Sequence, residues 1–345
     1  ADDIHVKLAP LCRYASARLI HDEVSGLDLD ARRVLFENRP ELRYDIVSLN
    51  TGAVPRPPHA DAVTVKPISS FLPKWRQISE RIHAQQRLVV VGGGAGGIEL
   101  ALAARKALPQ GVVLQLVGES LLPGHNAGAV TKAAAALSAF AVEWIQGRAV
   151  EEQPSGLRLQ DGRLIPADYV LWVTDVTAPQ WLAQSGLATD GRGFVSVDAT
   201  LRSVSHAEVF AAGDVAHLVG QERAKSGVYA VRAGPYLAEN LRRVVKGEPL
   251  KTYHAQRHHL ALLGNGHGAA IASRGGWSAQ GRFWWWVKDR IDRKFIRKFN
   301  DLPKMSEAKP QLSEALAASL PEQLMRCGGC GAKLAADPLR RVLSR

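Results

Sequence analysis

Short apolar runs alternate with helical patterns through the middle of the chain. The run at residues 88–91 is followed by a glycine-rich turn, by a helical pattern at 98–108 and by a second apolar run at 112–117. Continuous apolar runs of this length are typical of strands that are buried on both faces of a parallel sheet. The order strand, turn, helix and strand therefore predicts a β-α-β unit and an α/β fold class.

Similar patterns predict further elements on both sides of this unit. Buried strands are predicted at residues 44–49, 167–174 and 209–212, and helices at 75–83, 129–140 and 226–245. Short apolar runs and a hairpin turn at Asp161-Gly162 predict a small meander between residues 144 and 165. The prolines in Pro55-Arg56-Pro57-Pro58 cannot continue a sheet, so a linker is predicted there.

The glycine-rich turn has the spacing G-x-G-x-x-G at Gly92, Gly94 and Gly97. Gly92 permits a tight turn, Gly94 lets the backbone approach a pyrophosphate, and Gly97 lets the helix pack against the sheet. The unpaired N–H groups at the helix N-terminus can then bind the phosphates. The turn therefore predicts a dinucleotide site; the alternative is a glycine-rich turn that only packs.

The end of the second strand bears on which nicotinamide nucleotide would bind. Sites of this type place an acidic side chain there, where it binds the adenosine ribose. Gly118 occupies that place and Glu119 follows it, so Glu119 is the candidate. No arginine stands there to bind a 2′-phosphate, and the choice between NADH and NADPH stays open.

The composition is that of a globular protein with a basic surface. The chain has 345 residues, of which 46% are hydrophobic and 22% charged, and a formal net charge of +11. This length suits two or three domains, and the charge favours anionic partners such as nucleotides or acidic lipid surfaces. No nucleic-acid motif is present, so no nucleic-acid partner is expected. A polar start, few cysteines and the lack of a long apolar run predict a cytoplasmic protein.

Three motifs together resemble the pyridine nucleotide–disulfide oxidoreductase superfamily, in its type II NADH dehydrogenase-like branch. They are Tyr44-Asp45 with Ser48-Leu49-Asn50-Thr51-Gly52, the glycine turn up to Glu99, and Val209-Phe210-Ala211-Ala212-Gly213-Asp214. The resemblance implies two nested Rossmann-like, three-layer domains and a small C-terminal α+β segment. FAD would bind in the first domain, and NADH or NADPH in the domain inserted into it.

The resemblance also assigns a role to each part of the chain. Residues 1–55 would be a remnant of the FAD-binding domain, 177–252 its second part, 85–176 the inserted NAD(P)H-binding domain, and 56–84 a linker. Residues 253–300 would be a C-terminal interface segment, 301–324 a further linker, and 325–345 the start of another enzyme.

The FAD site implied by the resemblance is made by two turns. Thr51 and Gly52 match a family turn that contacts FAD. Gly213 and Asp214 match a strand end where the glycine permits close approach and the carboxylate accepts a hydrogen bond from a ribityl hydroxyl. The alternative for Asp214 is a cap of the following helical turn.

Two charged side chains are candidates for the redox chemistry. Glu99 would lie near the contact between nicotinamide and flavin; the alternative is an anion that favours the helix N-terminus. Lys225 would add a positive charge beside the flavin; the alternative is a solvated surface lysine. The chain departs from the family at Asn50, where alanine is usual, and at Asp175, where the second such turn has glycine.

The tail carries a second resemblance. Residues 325–334 resemble the start of selenophosphate synthetase (selenide, water dikinase), with Cys330 as the selenium-handling nucleophile and Lys333 as the catalytic lysine. Bacterial fusions exist in which an NADH dehydrogenase-like module precedes that enzyme. The first FAD glycine motif and the ATP-binding body of the synthetase are missing, so both ends look truncated. ATP and Mg are expected only for a full-length protein.

A basic amphipathic helix is predicted at residues 283–299. One face carries Trp284, Val287, Ile291, Phe295 and Phe299, and the opposite face carries Arg290, Arg293, Lys294 and Arg297. Two interpretations are open. The helix either makes a peripheral contact with the inner face of the membrane, or packs on the flavin domain with a solvated basic face.

These observations predict an FAD-dependent NAD(P)H oxidoreductase, as the N-terminal module of a selenide, water dikinase fusion. Hydride would pass from nicotinamide to flavin and on to a small-molecule acceptor, with a quinone as one candidate. Cys12 is not paired with a second cysteine beside a flavin motif, so thiol–disulfide chemistry is not expected. The alternatives are a non-catalytic NAD(P)H-sensing module that regulates the synthetase, and a membrane-docked quinone reductase. A homodimer is a further candidate arrangement.

Overall fold

The computed structural model describes residues 6–56, 59–174 and 176–303. They belong to two compact units, Ile20–Arg293 and Ala1–Leu19 with Lys294–Arg345. The described helices are α1 (Leu8–Tyr14), α2 (Ile68–Arg81), α3 (Ala95–Ala107), α4 (Ala127–Ala139), α5 (Gln180–Gln184), α6 (Gly227–Lys246) and α7 (Arg282–Asn300).

The described strands before residue 174 are β1 (Val24–Asp28), β2 (Arg33–Phe36), β3 (Leu42–Arg43), β4 (Val47–Leu49), β5 (Val54–Pro55), β6 (Val63–Thr64), β7 (Arg87–Val91), β8 (Val113–Gly118), β9 (Val142–Gln146), β10 (Ala149–Gln153), β11 (Gly156–Leu159), β12 (Leu164–Ile165) and β13 (Tyr169–Trp172). The later strands are β14 (Val176–Thr177), β15 (Val195–Val197), β16 (Val209–Ala211), β17 (Ala216–Leu218), β18 (Ala261–Gly264), β19 (Ala270–Arg274) and β20 (Trp277–Gly281).

A five-stranded parallel sheet in the order β6-β13-β7-β8-β9 forms the centre of the unit Ile20–Arg293. Successive side chains of a strand point to opposite faces, and here both faces are covered. Leu88 and Val90 pack against α3 through Ile98, in a core that α2 and α4 share. Val89 packs on the other face against Leu157 of the antiparallel sheet β10-β11-β12. The predicted three-layer α/β architecture with a buried parallel sheet is therefore confirmed.

In two segments the structure differs from the sequence-based interpretation. Residues 56–84, interpreted as a linker with a helix at 75–83, contain β6, which pairs with β13, and a longer helix, α2, which buries Phe71 and Ile78 in the core. Trp144 and Ile145, assigned to the meander, belong to β9 of the parallel sheet. Short strands acquire their partners through long-range contacts, which a local pattern does not contain.

Smaller sheets form the other part of this unit. β4 and β16 are parallel neighbours, with Leu49 opposite Ala211, and β15 pairs in parallel with β17. Their side chains share a core with β1 and α5 that includes Phe194 and Leu182. Parallel neighbours end at the same edge of a sheet, so the turns that follow β4 and β16 lie side by side.

The antiparallel sheet β18-β19-β20 covers part of the helical layer. Leu263 and Ile271 belong to the same core as α3, and β20 contacts α4. α6 begins after Ser226 and ends at Gly247, whose φ of 69° suits a glycine at a helix C-terminus. Within the described ranges, no helix is both long and apolar enough to cross a bilayer.

Candidate functional site

The glycine turn between β7 and α3 combines tight packing with one open position. Gly92 has a φ of 134°, and a Cβ added there would lie 2.5 Å from the Val173 carbonyl oxygen. A Cβ at Gly97 would lie 1.8 Å from the Gly92 carbonyl oxygen, whereas a Cβ at Gly94 would meet nothing within 4 Å. Gly92 and Gly97 are therefore required by the fold, and Gly94 borders free space.

That free space lies at the N-terminus of α3. Gly94 is the N-cap residue and offers no side-chain acceptor, and the first turn of the helix carries no acidic residue. The first N–H groups of a helix have no acceptor within it, and together with the helix dipole they attract an anion. The turn thus fits the pyrophosphate of a dinucleotide, as the sequence predicts for Gly92, Gly94 and Gly97.

Replacing Gly94 by alanine is expected to impair nucleotide binding without harming the fold. The φ of −74° suits any residue, so the free energy of unfolding should change by less than about 1 kcal/mol. The added methyl group occupies the space for the pyrophosphate, so the dissociation constant for NAD⁺ should rise at least about tenfold. Calorimetric titration measures this. Gly96→Ala is the control, because its methyl group would only meet Val173 at an ordinary 3.5 Å. If Gly94→Ala binds NAD⁺ as tightly as wild type, the pyrophosphate does not lie at this turn.

Glu119 lies directly after β8, at the edge of the sheet that carries the glycine turn. A Cβ at Gly118 would lie 2.6 Å from the Gly93 nitrogen, so no acidic residue fits at the strand end itself and Glu119 takes the next position. The structure also brings Arg148 to this place: its Nη1 lies 3.7 Å from Glu119 Oε1. No local pattern marks Arg148, because it comes close to Glu119 only when β9, which ends two residues before it, pairs with β8.

The two turns predicted to hold FAD lie side by side. Ala212 N–H donates to the Leu49 carbonyl oxygen at 3.1 Å, and a Cβ at Gly213 would lie 2.6 Å from Asn50 Oδ1. Gly213 has a φ of 75° and borders Asn50, which is followed by Thr51 and Gly52. The alanine-to-asparagine departure therefore places an amide against the backbone of the Gly213 turn.

Asp214 follows Gly213 in a short 3₁₀ turn. Its side chain is about one-fifth exposed, and its Oδ2 lies 3.9 Å from Lys66 Nζ. Lys66 was not recognised from the sequence, since it lies far from Asp214 along the chain and in a segment interpreted as a linker. Asp214 also lines a cavity, and a carboxylate at a cavity wall can accept hydrogen bonds from hydroxyl groups.

This cavity has a volume of about 440 Å³ and lies at the carboxyl end of β16. Pockets for small molecules have volumes of roughly 300–1,000 Å³. Its lining includes Gly213, Asp214, Arg223, Lys225, Tyr229 and Tyr253. The Tyr253 hydroxyl and the Arg223 Nε are buried and have no hydrogen-bond partner in the part of the chain that the structure describes. Buried polar atoms are nearly always paired in folded proteins, so these two atoms favour a polar ligand in the cavity.

The N-terminus of α6 borders the same cavity through Ser226 and Tyr229. Ser226 makes no side-chain cap bond, so the positive end of the helix dipole is uncapped by that residue. The Tyr229 hydroxyl lies 3.3 Å from His259 Nδ1. Neither Tyr229 nor His259 is among the site residues that the sequence predicts, although Tyr229 lies within the helix predicted at 226–245.

Lys225 lies over the Phe194 ring, with Nζ 3.7 Å from the ring centroid, and donates to the Ala216 carbonyl oxygen at 2.8 Å. Burial lowers the pKa of its ammonium group to about 8, and Asp190 partly counteracts this effect. The surface-lysine alternative does not describe this half-buried side chain. A cation held at the cavity wall suits a ligand that carries negative charge.

The burial of Lys225 predicts a pH dependence of stability. Its folded-state pKa of about 8 lies below the ordinary 10.5, so the buried charge destabilises the fold at pH values below about 8. That penalty should disappear as the pH rises from about 8 towards 10.5. Without added FAD, wild-type protein should therefore gain stability relative to Lys225→Met over this interval in urea unfolding. Lys246→Met, at the exposed end of α6, is the control and should show no such gain. A constant difference between wild type and Lys225→Met would contradict the prediction.

The Glu99 side chain connects α3 with two other elements of the fold. Its Oε1 accepts a hydrogen bond from Gly264 N–H at 2.7 Å and lies 3.7 Å from Lys288 Nζ. It therefore ties α3 to β18 and α7, and a role near the nicotinamide stays a prediction. Cys330, Lys333 and Asp175 lie outside the described residues.

The predicted amphipathic helix is present as α7. Phe283, Trp286 and Ile291 are each more than half exposed. Trp284 instead packs edge-on against Trp277 of β20. Part of the aromatic surface therefore packs on the fold, and part faces outward.

Comparison with known proteins places this geometry in a family. The sequence profile of pyridine nucleotide-disulphide oxidoreductases matches residues 13–234. The chain is 35% identical over 213 residues to the ferredoxin–NAD(+) reductase component of a biphenyl dioxygenase system from Paraburkholderia xenovorans (strain LB400), which covers 59% of this chain and 52% of that protein. The chain spans between half and two thirds of the length of the first curated relatives that it matches.

The fold is shared with solved structures, among them the following two. Sulfide:quinone oxidoreductase from Aquifex aeolicus has a TM-score of 0.73 at 15% identity, over 87% of this chain and 79% of that one. A ferredoxin reductase from Rhodopseudomonas palustris has a TM-score of 0.62 at 21% identity, over 76% and 66%. The matched profile covers well over half of the chain and includes both the glycine turn and the Gly213-Asp214 turn. The chain therefore belongs to the pyridine nucleotide-disulphide oxidoreductase family.

Proposed function

We propose that this chain binds FAD and a nicotinamide dinucleotide and passes electrons from the nicotinamide to a redox partner protein of the ferredoxin type. The observation that carries the proposal is the cavity at Gly213 and Asp214, with its buried unpartnered Tyr253 hydroxyl. The glycine turn before α3 supplies a separate place for the second nucleotide. Residues 1–55 and 177–252 would bind FAD, and residues 85–176 the nicotinamide nucleotide.

The residues of the chain would orient the cofactors and set the local charge. Bound FAD supplies the capacity to accept a hydride as an electron pair and to release the electrons singly. Asp214 would hold the ribityl chain, with Thr51 and Gly52 beside it on the neighbouring turn. Lys225 and the N-terminus of α6 would stabilise negative charge on the bound cofactor.

Two observations support a ferredoxin-type acceptor: the 35%-identical relative and the net charge of the chain. That relative is named as a ferredoxin–NAD(+) reductase component. The formal net charge of +11 favours association with an acidic protein, and such association weakens as salt concentration rises. Ferredoxin reduction that falls steeply with added salt would support this acceptor.

A quinone is the second candidate acceptor, and the exposed aromatic side chains of α7 favour it. Phe283, Trp286 and Ile291 present apolar surface beside the basic residues of the same helix. If this helix contacts a membrane, vesicles with acidic lipids should bind the protein and stimulate quinone reduction. The cytoplasmic location and the homodimer remain predictions.

The test of the proposed function is optical. Protein reconstituted with FAD is mixed with NADH or NADPH without oxygen, and the visible flavin absorbance is followed. Rapid bleaching, reversed by ferredoxin, is expected. Bound FAD whose absorbance persists with both nucleotides would contradict the proposal and favour the regulatory NAD(P)H-sensing module.

A separate proposal concerns residues 325–345. Cys330 and Lys333 fit the start of a selenide, water dikinase, so the full-length protein would join electron transfer to selenium chemistry. Selenide-dependent ATP consumption by the full-length protein, lost in Cys330→Ala, tests this. ATP consumption that does not depend on selenide or on Cys330 would contradict it.

A further inference from the structure

Two aromatic side chains, Tyr229 and His259, connect the wall of the 440 Å³ cavity with the segment that precedes β18. Tyr229 lies in the first turn of α6 and lines the cavity. Its hydroxyl lies 3.3 Å from His259 Nδ1, and the two rings meet edge-on with their centroids 5.1 Å apart. A hydrogen bond therefore leads from a residue of the cavity wall to a partly exposed imidazole.

The surroundings of His259 favour the neutral form of its ring. Burial lowers the pKa of the imidazole below its ordinary 6.5, and the charge of Arg232 on α6 lowers it further. A second imidazole, that of His125, feels a repulsion from His259 that adds to the effect of burial and lowers the pKa of His125 as well. The Nδ1 atom of His125 lies 3.0 Å from the buried Ser273 Oγ. A neutral imidazole has one nitrogen that can accept a proton, and these neighbours make the protonated form of His259 short-lived.

The proposed electron transfer leaves a proton behind. NADH gives up a hydride, which is a proton with two electrons, whereas carriers of the ferredoxin type take single electrons and no proton. NADH and two oxidised carriers therefore yield NAD⁺, two reduced carriers and one H⁺. This proton has to leave the cofactor site, and side chains that accept and release protons accelerate such a step.

We propose that Tyr229 and His259 carry this proton from the cavity to solvent. The inference rests on the proposed function, because it assumes that FAD occupies the cavity. The Tyr229 oxygen accepts the proton from the bound cofactor while the original hydroxyl proton passes to His259 Nδ1, so that one O–H bond forms as another breaks. The partly exposed imidazole then releases a proton to water and returns to its neutral form.

The experiment separates the two halves of the reaction in the FAD-loaded chain. The flavin is first reduced by NADH without oxygen and is then mixed with ferricyanide, which takes electrons but no protons. His259→Ala should slow the return of the flavin absorbance at least about tenfold, and added imidazole should restore much of this rate. Tyr229→Phe should be slowed similarly and should not respond to imidazole. Bleaching by NADH, which transfers a hydride and releases no proton, should proceed at the wild-type rate in both variants.

His258→Ala is the matched control. It removes the exposed histidine next to His259 in the same segment, and both rates should equal those of wild type. A second readout needs no FAD: in nitrogen NMR, Nδ1 of the neutral His259 ring should carry no proton, and Tyr229→Phe should shift its signal.

Three results would overturn the inference and leave the proposed function standing. They are unchanged reoxidation in His259→Ala, slow reoxidation that imidazole does not restore, and a proton already bound at Nδ1 of the neutral His259 ring. Bound FAD that NADH does not bleach would overturn the proposed function and, with it, the inference.

Discussion

Gly97→Ala is expected to lower the free energy of unfolding by about 3 kcal/mol and to abolish nucleotide binding. The alanine Cβ would lie 1.8 Å from the Gly92 carbonyl oxygen, which is backbone and cannot rotate away. Either α3 moves off the sheet or the turn after β7 opens. In both cases the N–H groups at the start of α3 lose their common direction.

Urea unfolding and NAD⁺ titration measure the two effects of Gly97→Ala. Gly96→Ala is a stringent control, because it places the same methyl group one residue earlier in the same helical turn. Its Cβ would meet only Val173 Cγ1, at 3.5 Å, and alanine is the better helix former by about 1 kcal/mol. A Gly97→Ala protein as stable as Gly96→Ala would show that the turn does not have this geometry.

Asp214→Asn is expected to weaken FAD binding by about tenfold to a hundredfold. Hydrogen bonds to a charged group contribute about 1.5–3 kcal/mol, and asparagine keeps the shape of the side chain while it removes the charge. Asp214 lines the cavity, and its carboxylate makes a long ion pair with Lys66. The fold should therefore tolerate the change.

Flavin fluorescence quenching measures the FAD affinity of this variant, and unfolding in urea checks its stability. Asp292→Asn makes the same change on an exposed side chain of α7 and should leave FAD affinity unaltered. If Asp214→Asn retains full affinity, Asp214 acts only as a cap of the 3₁₀ turn. In that case the cavity would not hold the ribityl chain of FAD.

The β-α-β unit could be predicted from the sequence because its determinants are local. The runs that form β7 and β8 are apolar at nearly every position since both faces of the sheet are covered, with Gln115 as the buried polar exception in β8. Gly92, Gly94 and Gly97 then mark the turn between them. Likewise, the apolar strand β16 followed by Gly213 and Asp214 marks the second turn. The side chains that surround this turn could not be predicted from the same pattern.

The sequence by itself thus determined the fold class, the two turns and the residue types that can bind phosphates and hydroxyls there. Only the tertiary structure decided which distant side chains join them: Lys66 beside Asp214, Arg148 beside Glu119, and the Lys225 ammonium over Phe194. The physical reason is that a turn is defined by neighbouring backbone angles and apolar patterns. The approach of two distant charges depends instead on the order of strands in a sheet, which emerges only when the whole core packs.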